Sequence, residues 1–426
     1  MNRRPTMPPH EANWIAAWTG AAQGPYPLGN PTAQPDMRFA LPSAEQGAQD
    51  QTFRLIVRPH LWGRRARLRL SNAHGTRPVT FAGTHVGLQG SGALLVAGTN
   101  RPVRFAGADA VTVPPGASAL SDPVDLPWVG TPTDALLAHR KLAVSFHLPG
   151  PTGPMTWHAK ALTTSYLTPP GSGAHAATEA EDPFAFTTAS WFFLDQVQMD
   201  VPGARGIVAI GDSITDGTCS TMNGDDRWPD FLGRRIHAVY GSRYSVVNQG
   251  IGGNRIVSPA DYAADPVAGG PSALDRLERD VISLPNVAAV IWLEGINDFG
   301  HGGGGVADVI AGIRQGVARL RQAIPGVRIA MGTLVPALNA TNGTHGTPAV
   351  ETMRQACNDF IRTCGLFDAV VDFDAVTRDP ASGELKAEFV PDSSVGGPGD
   401  KLHPNRVGYR AMAQAVDLRT LLGEPD

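Results

Sequence analysis

The stretch GIVAIGDSITDG, Gly206–Gly217, joins a continuous apolar run (Gly206–Ile210) to a turn built of Gly, Asp, Ser and Thr. An apolar run with no polar break reads as a strand buried on both faces, as in a parallel sheet. Working outward, the same pattern recurs at Tyr244–Val247, Val287–Leu293, Val327–Leu334 and Ala369–Phe373. Helical spacing fills the intervals, at Trp228–Tyr240, Ser272–Ser283, Val306–Ala323 and Ala349–Cys364. Buried strands alternating with helices predict an α/β domain with a parallel sheet.

Upstream of Gly203 the period changes to two. In Lys141–Leu148, Leu142, Val144, Phe146 and Leu148 share one face while Ala143, Ser145 and His147 take the other. Ala66–Asn72 alternates likewise, and such strands belong in half-buried antiparallel sheets. Thr52–Pro59, Ala93–Ala97, Ala110–Val113, Leu162–Leu167 and Trp191–Val201 are further expected strands. Turn signals such as Pro114-Pro115-Gly116 punctuate them, which predicts an all-β sandwich or jelly roll. Residues 171–186 read as a polar loop. The expected division is a β-rich domain over 1–203 and an α/β domain over 204–426. Trp14–Gln23 could pack on either half.

A chain of 426 residues buries a large core without disulfide or metal staples. A formal net charge of −4 argues against broad attraction to nucleic acid or to an anionic membrane. The three cysteines, Cys219, Cys357 and Cys364, match no zinc spacing and are expected to be plain thiols. No run approaches a membrane span, and Met1–Trp18 lacks the apolar centre of a signal peptide. As written, the chain is expected to be cytoplasmic; removal of a leader from a precursor would instead make it secreted.

Four polar blocks follow the expected strands, at the sheet edge where α/β folds gather function. The first is Gly211-Asp212-Ser213-Ile214-Thr215-Asp216-Gly217. A Ser at a strand-to-helix turn can expose its hydroxyl, although Asp, Ser and Thr also simply cap helices there. Thr215 stands where the nucleophile elbow G-x-S-x-G needs its second Gly, which argues against an α/β-hydrolase. The second block, Asn248-Gln249-Gly250-Ile251-Gly252-Gly253-Asn254, has Arg255 where a dinucleotide fingerprint needs Gly. Its glycines free the backbone to aim N–H groups at an anion, or only to turn the chain. The third, Gly295-Ile296-Asn297-Asp298, offers the Asn297 amide as a further donor. The fourth is Asp400-Lys401-Leu402-His403-Pro404, in which an acid and a His three apart can meet within one turn. Together the blocks supply a nucleophile, a base, an orienting carboxylate and oxyanion donors.

Gly211-Asp212-Ser213, Gly253, Gly295-x-Asn297-Asp298 and Asp400-x-x-His403-Pro404 resemble the blocks of the SGNH/GDSL hydrolases, over about residues 206–420. The resemblance implies a flavodoxin-like three-layer fold with a five-stranded parallel sheet, and serine esterase activity. It implies Ser213 as nucleophile, His403 as base and Asp400 as orienter, with Ser213 N–H, Gly253 N–H and Asn297 as the oxyanion hole. Gly253 matches the spacing from Asn248, with the neighbouring Gly252 leaving the register open by one position. No metal or organic cofactor is implied. Trp14–Trp18, Arg67–Asn72 and Asp226–Pro229 are similar to a bacterial branch that carries a β-rich domain before the hydrolase domain. That branch is similar to esterases associated with xylan and other plant polysaccharides.

Asp216, Trp228 and Glu294 are the candidate substrate-pocket residues, with Arg227 and the run Gly302–Gly305 near the mouth, although Arg227 and Trp228 more often mark a helix start and core packing than ligand contact. Modest aromatic content and the lack of an apolar lid favour a short acyl group, so the expected partner is a small-molecule or carbohydrate ester. Two alternatives stand beside hydrolysis. One is an acyltransferase or thioesterase using the same triad, and the other a sugar-binding protein with an inert hydrolase domain. Oligomeric state is not encoded in any pattern of the sequence.

Overall fold

The computed structural model describes residues 13–302 and 304–424. The leader-region reading of Met1–Trp18 therefore lies largely outside the described residues, as does Gly303 of the glycine run.

The N-terminal half is built of antiparallel strands. One sheet contains β1 (Trp14–Thr19), β3 (Arg65–Ser71) and β6 (Leu194–Asp200), with β6 between the other two. Another contains β2 (Gln51–Val57), β4 (Val79–Leu88) and β5 (Leu142–Leu148), with β5 in the centre. Leu68, Leu70 and Val197 of the first sheet share one core with Phe53, Phe81 and Phe146 of the second. Phe81 meets Phe146 edge-on at 5.5 Å, and Phe53 meets Phe192 edge-on at 5.4 Å, the geometry favoured by the ring quadrupole.

Three local expectations change. β5 is not half-buried, because Ala143 and Ser145 on its second face are covered as well. The cover is the polar loop, drawn down by the buried Arg54, whose guanidinium donates to Ser145 Oγ and to the carbonyls of Ala93, Thr178 and Ala180. Ala93–Ala97 forms a turn with one isolated bridge, Gln89 to Leu95, rather than a strand. The run from Trp191 breaks at Phe193, whose φ of 60° is left-handed and incompatible with a continuous strand.

Pairing switches from antiparallel to parallel between Asp200 and Arg205. From there β7 (Arg205–Gly211), β8 (Tyr244–Gly250), β9 (Val287–Leu293), β10 (Arg328–Gly332) and β11 (Ala369–Val371) form a five-stranded parallel sheet in the order β8-β7-β9-β10-β11. All seven residues of β9 are buried, and so are six of seven in β7, as the unbroken apolar runs require. Helix Trp228–Tyr240 packs with Arg406–Ala415, and helix Val306–Ala323 packs with Ala273–Leu277 and Pro348–Thr363. The expected helix Ser272–Ser283 becomes α-helical only to Leu277 and continues as a π-helical turn, Glu278–Ile282. All three cysteines are free thiols.

β1 serves both halves. Its backbone pairs with β6, while Ala16 O accepts from Ser245 Oγ at 2.7 Å and Asn286 Nδ2 donates to Trp14 O at 3.0 Å. Ala16 lies in the core of the parallel sheet, and Ile15, Ala17 and Trp18 lie in the core of the antiparallel half. A register shift between Ala16 and Trp18 lets consecutive residues 17 and 18 face one core.

Candidate active site

The parallel register brings the functional blocks together. Gly211 at the end of β7 lies opposite Gly250 on one side and Leu293 on the other. The blocks after these three strands therefore leave the sheet at one edge. β7 is also where the strand order reverses, and there the diverging connections open a crevice. Beneath it the fully buried Arg276 donates to Gly211 O, Gln249 O and Asn254 Oδ1 and pairs with Asp280 at 3.0 Å. One guanidinium thus ties the ends of β7 and β8 to the Asn254 loop.

Ser213 opens a one-turn helix, Ser213–Asp216. Asp212 supplies the cap, its side chain accepting from Ile214 N at 3.0 Å. The Ser213 hydroxyl is thereby free for another partner, so capping and exposure of a reactive group coexist in this turn. That partner is His403, with Ser213 Oγ 2.7 Å from His403 Nε2. On the other side of the ring, Nδ1 donates to Asp400 Oδ2 at 2.5 Å. Asp400 Oδ1 accepts from the backbone N–H groups of Leu402 (3.0 Å) and His403 (2.9 Å). Burial pushes the Asp400 carboxyl up, but the bonds from the His403 ring and the two backbone amides outweigh it and hold Asp400 well below the usual carboxylate range. A hydroxyl, an imidazole and an ionised carboxylate in line can move a proton off the hydroxyl.

Among the described residues, neither Ser213 N–H nor Gly253 N–H has a hydrogen-bond acceptor. Gly252 N–H, by contrast, donates to Asp216 Oδ2 at 2.9 Å. Gly253 holds φ at +82°, a conformation that only glycine adopts without strain. Asn297 Nδ2 uses one hydrogen on Asn254 O at 2.9 Å, and its Oδ1 is 2.9 Å from His345 Nε2. The second amide hydrogen of Asn297 is left for a ligand.

The expected pocket residues sit elsewhere. Trp228 is fully buried and packs on Phe373 with ring centroids 5.4 Å apart; its place is the core rather than the cleft. Glu294 is fully buried as well, accepting from Trp292 Nε1 at 2.8 Å, and burial pushes its carboxyl up to about 7. A carboxyl so enclosed cannot meet substrate. Asp216 is buried against Gly252 N–H and His158 Nε2, so it braces the glycine loop, and it also lines a cavity with His158, Trp191 and Arg227. Arg227 donates to Asp216 O and Ala161 O behind the site.

Four groups from the N-terminal half reach the glycine loop and the Ser213 turn unannounced by the sequence. Asn30 Nδ2 donates to Gly252 O at 2.9 Å and Gln23 Nε2 to the same oxygen at 3.4 Å. His158 Nε2 lies 3.1 Å from Asp216 Oδ1, and Lys160 Nζ donates to Thr218 Oγ1 at 2.5 Å. Burial pulls Lys160 below the usual lysine range, against the opposing pull of Asp216, Cys219, Asp400 and Asp212. The segment carrying His158 and Lys160, Met155–Thr163, is buried throughout with no periodicity that would set polar residues apart.

Cys219, Asp400 and His403 also place one potential ligand atom each within 4.8 Å of one another. Both ring nitrogens of His403 are engaged by Ser213 and Asp400, and burial pushes the Cys219 thiol up and keeps it protonated. This trio does not fit a metal ion.

The chain is similar to several solved structures over about half of its length. A carbohydrate acetylesterase family member from Sinorhizobium meliloti matches at 19% identity, covering 51% of this chain and 99% of its own, with a TM-score of 0.39. The native M. smegmatis aryl esterase matches at 16% identity over 51% of this chain and 100% of its own, with a TM-score of 0.39. A GDSL-like lipase from Bacteroides thetaiotaomicron matches at 17%, covering 50% of this chain and 85% of its own, with a TM-score of 0.36. No curated protein sequence matches the chain. The model of the GDSL-like lipase/acylhydrolase family matches residues 209–411, the span that holds Ser213, Gly253, Asn297, Asp400 and His403. Residues 209–411 form a domain of the GDSL-like lipase/acylhydrolase family, which makes the chain a carboxylic ester hydrolase.

Proposed function

We propose that the chain hydrolyses short-chain, acetyl-like carboxylic esters through an acyl-enzyme on Ser213, with polar alcohols such as carbohydrates as the leaving groups. The observation that carries this reading is the continuous line from Ser213 Oγ through His403 to Asp400, at 2.7 and 2.5 Å. His403 Nε2 takes the Ser213 proton as Oγ attacks the ester carbonyl. The developing oxyanion is received by Ser213 N–H and Gly253 N–H, neither of which has another acceptor, and by the Asn297 Nδ2 hydrogen not spent on Asn254 O. His403 then gives the proton to the departing alkoxide. Water, deprotonated by the same nitrogen, attacks the acyl-Ser213 carbonyl, releases the acid and restores the serine.

Polarity near the site supports a small acyl group and a polar alcohol. Asn30, Lys160 and Thr218 lie beside the oxyanion loops, where a lipid chain would need apolar walls. We further propose residues 1–203 and 204–426 as the two domains, the first acting as a wall and support for the cleft of the second. The test is a panel of 4-nitrophenyl esters of rising acyl length, run beside acetylated xylan and acetylated monosaccharides. Acetyl esters turn over fastest, and Ser213→Ala abolishes turnover in folded protein. Residual activity in that variant refutes the assignment of the nucleophile.

A further inference from the structure

The second oxyanion donor sits in a peptide with no side chain to anchor it. Gly252 and Gly253 together have the largest backbone freedom of any residue pair, so left alone this peptide would sample many orientations. Its carbonyl, Gly252 C=O, is nonetheless taken by two amides from the N-terminal half, Asn30 Nδ2 at 2.9 Å and Gln23 Nε2 at 3.4 Å. Gln23 is itself fixed, donating to Ala268 O at 2.5 Å and accepting from Ala159 N at 3.2 Å. The preceding Gly252 N–H is held by Asp216, with His158 at 3.1 Å on the other carboxylate oxygen. In a trans peptide the C=O and the following N–H point in opposite directions. Donors on Gly252 C=O therefore aim Gly253 N–H the other way and polarise it toward a stronger donor.

We propose that Asn30 and Gln23 are positioning residues for the oxyanion hole, so that the β-rich half acts in catalysis by orienting the Gly252–Gly253 peptide. The inference rests on the reading of Gly253 N–H as an oxyanion donor, and it assigns the N-terminal half a task distinct from binding substrate. A methyl group at position 253 would stand 2.7 Å from Asn30 Nδ2, so the amide already fills the space behind this peptide.

Asn30 is exposed, so its replacement spares the fold. In Asn30→Leu, of similar size without a donor, kcat for 4-nitrophenyl acetate should fall about 10-fold, a fraction of the ~10² that loss of a whole oxyanion donor causes. KM should stay within about 2-fold, since the peptide matters most once charge develops. Asn30→Asp, which sets a carboxylate against the carbonyl, should fall at least as far, and Asn30→Gln should recover part of the loss. Affinity for a phenylboronic acid, whose tetrahedral adduct occupies the oxyanion site, should weaken in step with kcat. An unchanged kcat, a change confined to KM, or a loss that follows Tm instead of donor chemistry would overturn the proposal. Ser213→Ala run alongside separates the two readings: activity surviving there removes the esterase mechanism, whereas an inactive Ser213→Ala beside a fully active Asn30→Leu removes the positioning role alone.

Discussion

Asp400→Asn removes one charge and puts a donor in place of the acceptor that faces His403. In the wild type, Asp400 Oδ2 accepts from His403 Nδ1 at 2.5 Å, which leaves Nε2 unprotonated toward Ser213. The Asn side chain can keep Oδ1 on the backbone amides of Leu402 and His403, now at 3.0 and 2.9 Å. Its NH2 then faces Nδ1, and the ring turns to the tautomer with its proton on Nε2. That nitrogen can no longer take the serine proton. The same exchange in a Ser-His-Asp triad lowers kcat about 10⁴-fold. Asp400 is 25% exposed at its side chain, so water can partly solvate the altered pair, and a loss of about 10² to 10⁴ is expected here. Initial rates on 4-nitrophenyl acetate with active-site titration give kcat, and Tm by calorimetry across pH gives a second readout. Asp400 is held below its unfolded value, so its ionised form adds stability above about pH 4 that is lost as pH falls through the folded value. The Tm deficit of Asp400→Asn should accordingly be largest near neutrality and shrink in acid. A loss of kcat under about threefold at native Tm would move the orienting role to another residue.

Asn297→Ala should lower kcat by about 10² to 10³ with KM little changed, measured on the same ester; an equal rise in KM would make Asn297 a binding residue. Gly316→Ala should destabilise by about 1–3 kcal/mol in urea without altering kcat, because the added methyl would stand 2.4 Å from the buried Trp292 ring in the helix–sheet contact. Native stability of that variant would show that the helix shifts freely over the sheet. Glu294→Gln should gain stability relative to wild type as pH rises from about 4.5 to 7. Across that interval the buried Glu294, raised to about 7, keeps its proton while the same carboxyl in the unfolded chain ionises, which lowers wild-type stability by on the order of 3 kcal/mol. A flat difference between the two proteins over that range would contradict the burial argument.

The parallel half was legible because its physics is local and repeated. A strand buried on both faces must be apolar throughout and a helix lying on the sheet repeats its apolar face every 3.6 residues, which is why the strand Val287–Leu293 and the helices Trp228–Tyr240 and Val306–Ala323 match their expected limits residue for residue. The blocks after β7, β8 and β9 could be placed at one edge because parallel strands share their C-terminal side. Core packing of Trp228 was the reading its place at a helix start favoured, whereas burial of Glu294 was not legible. Closeness in sequence to the Asn297 turn says nothing about which face a side chain takes. Glu294, the first residue beyond β9, turns inward to the Trp292 indole, and a lone carboxylate in that place reads as exposed until its partner is known.

What the N-terminal half does at the site was hidden for a different reason. Asn30 and Gly252 are 222 positions apart, and Lys160 and Thr218 are 58 apart. The linking groups are single polar side chains on irregular segments, where neither period nor turn chemistry marks them. Their meaning comes only from what they touch, the Gly252–Gly253 peptide, which has no side chain, and Thr218 just after the Ser213 turn. Two adjacent glycines allow the backbone to present Gly253 N–H, and the same freedom leaves that N–H unaimed unless something outside the loop holds the peptide. In this chain the hold comes from Gln23 and Asn30, which sit just after β1, the strand built into both cores. Any change that loosens β1 from Ser245 or Asn286 should therefore reach the oxyanion peptide before it unfolds either half. Ser245→Ala, which removes the bond to Ala16 O, would register as a lower kcat at unchanged KM, and a purely thermal effect with native kcat would confine β1 to a structural role.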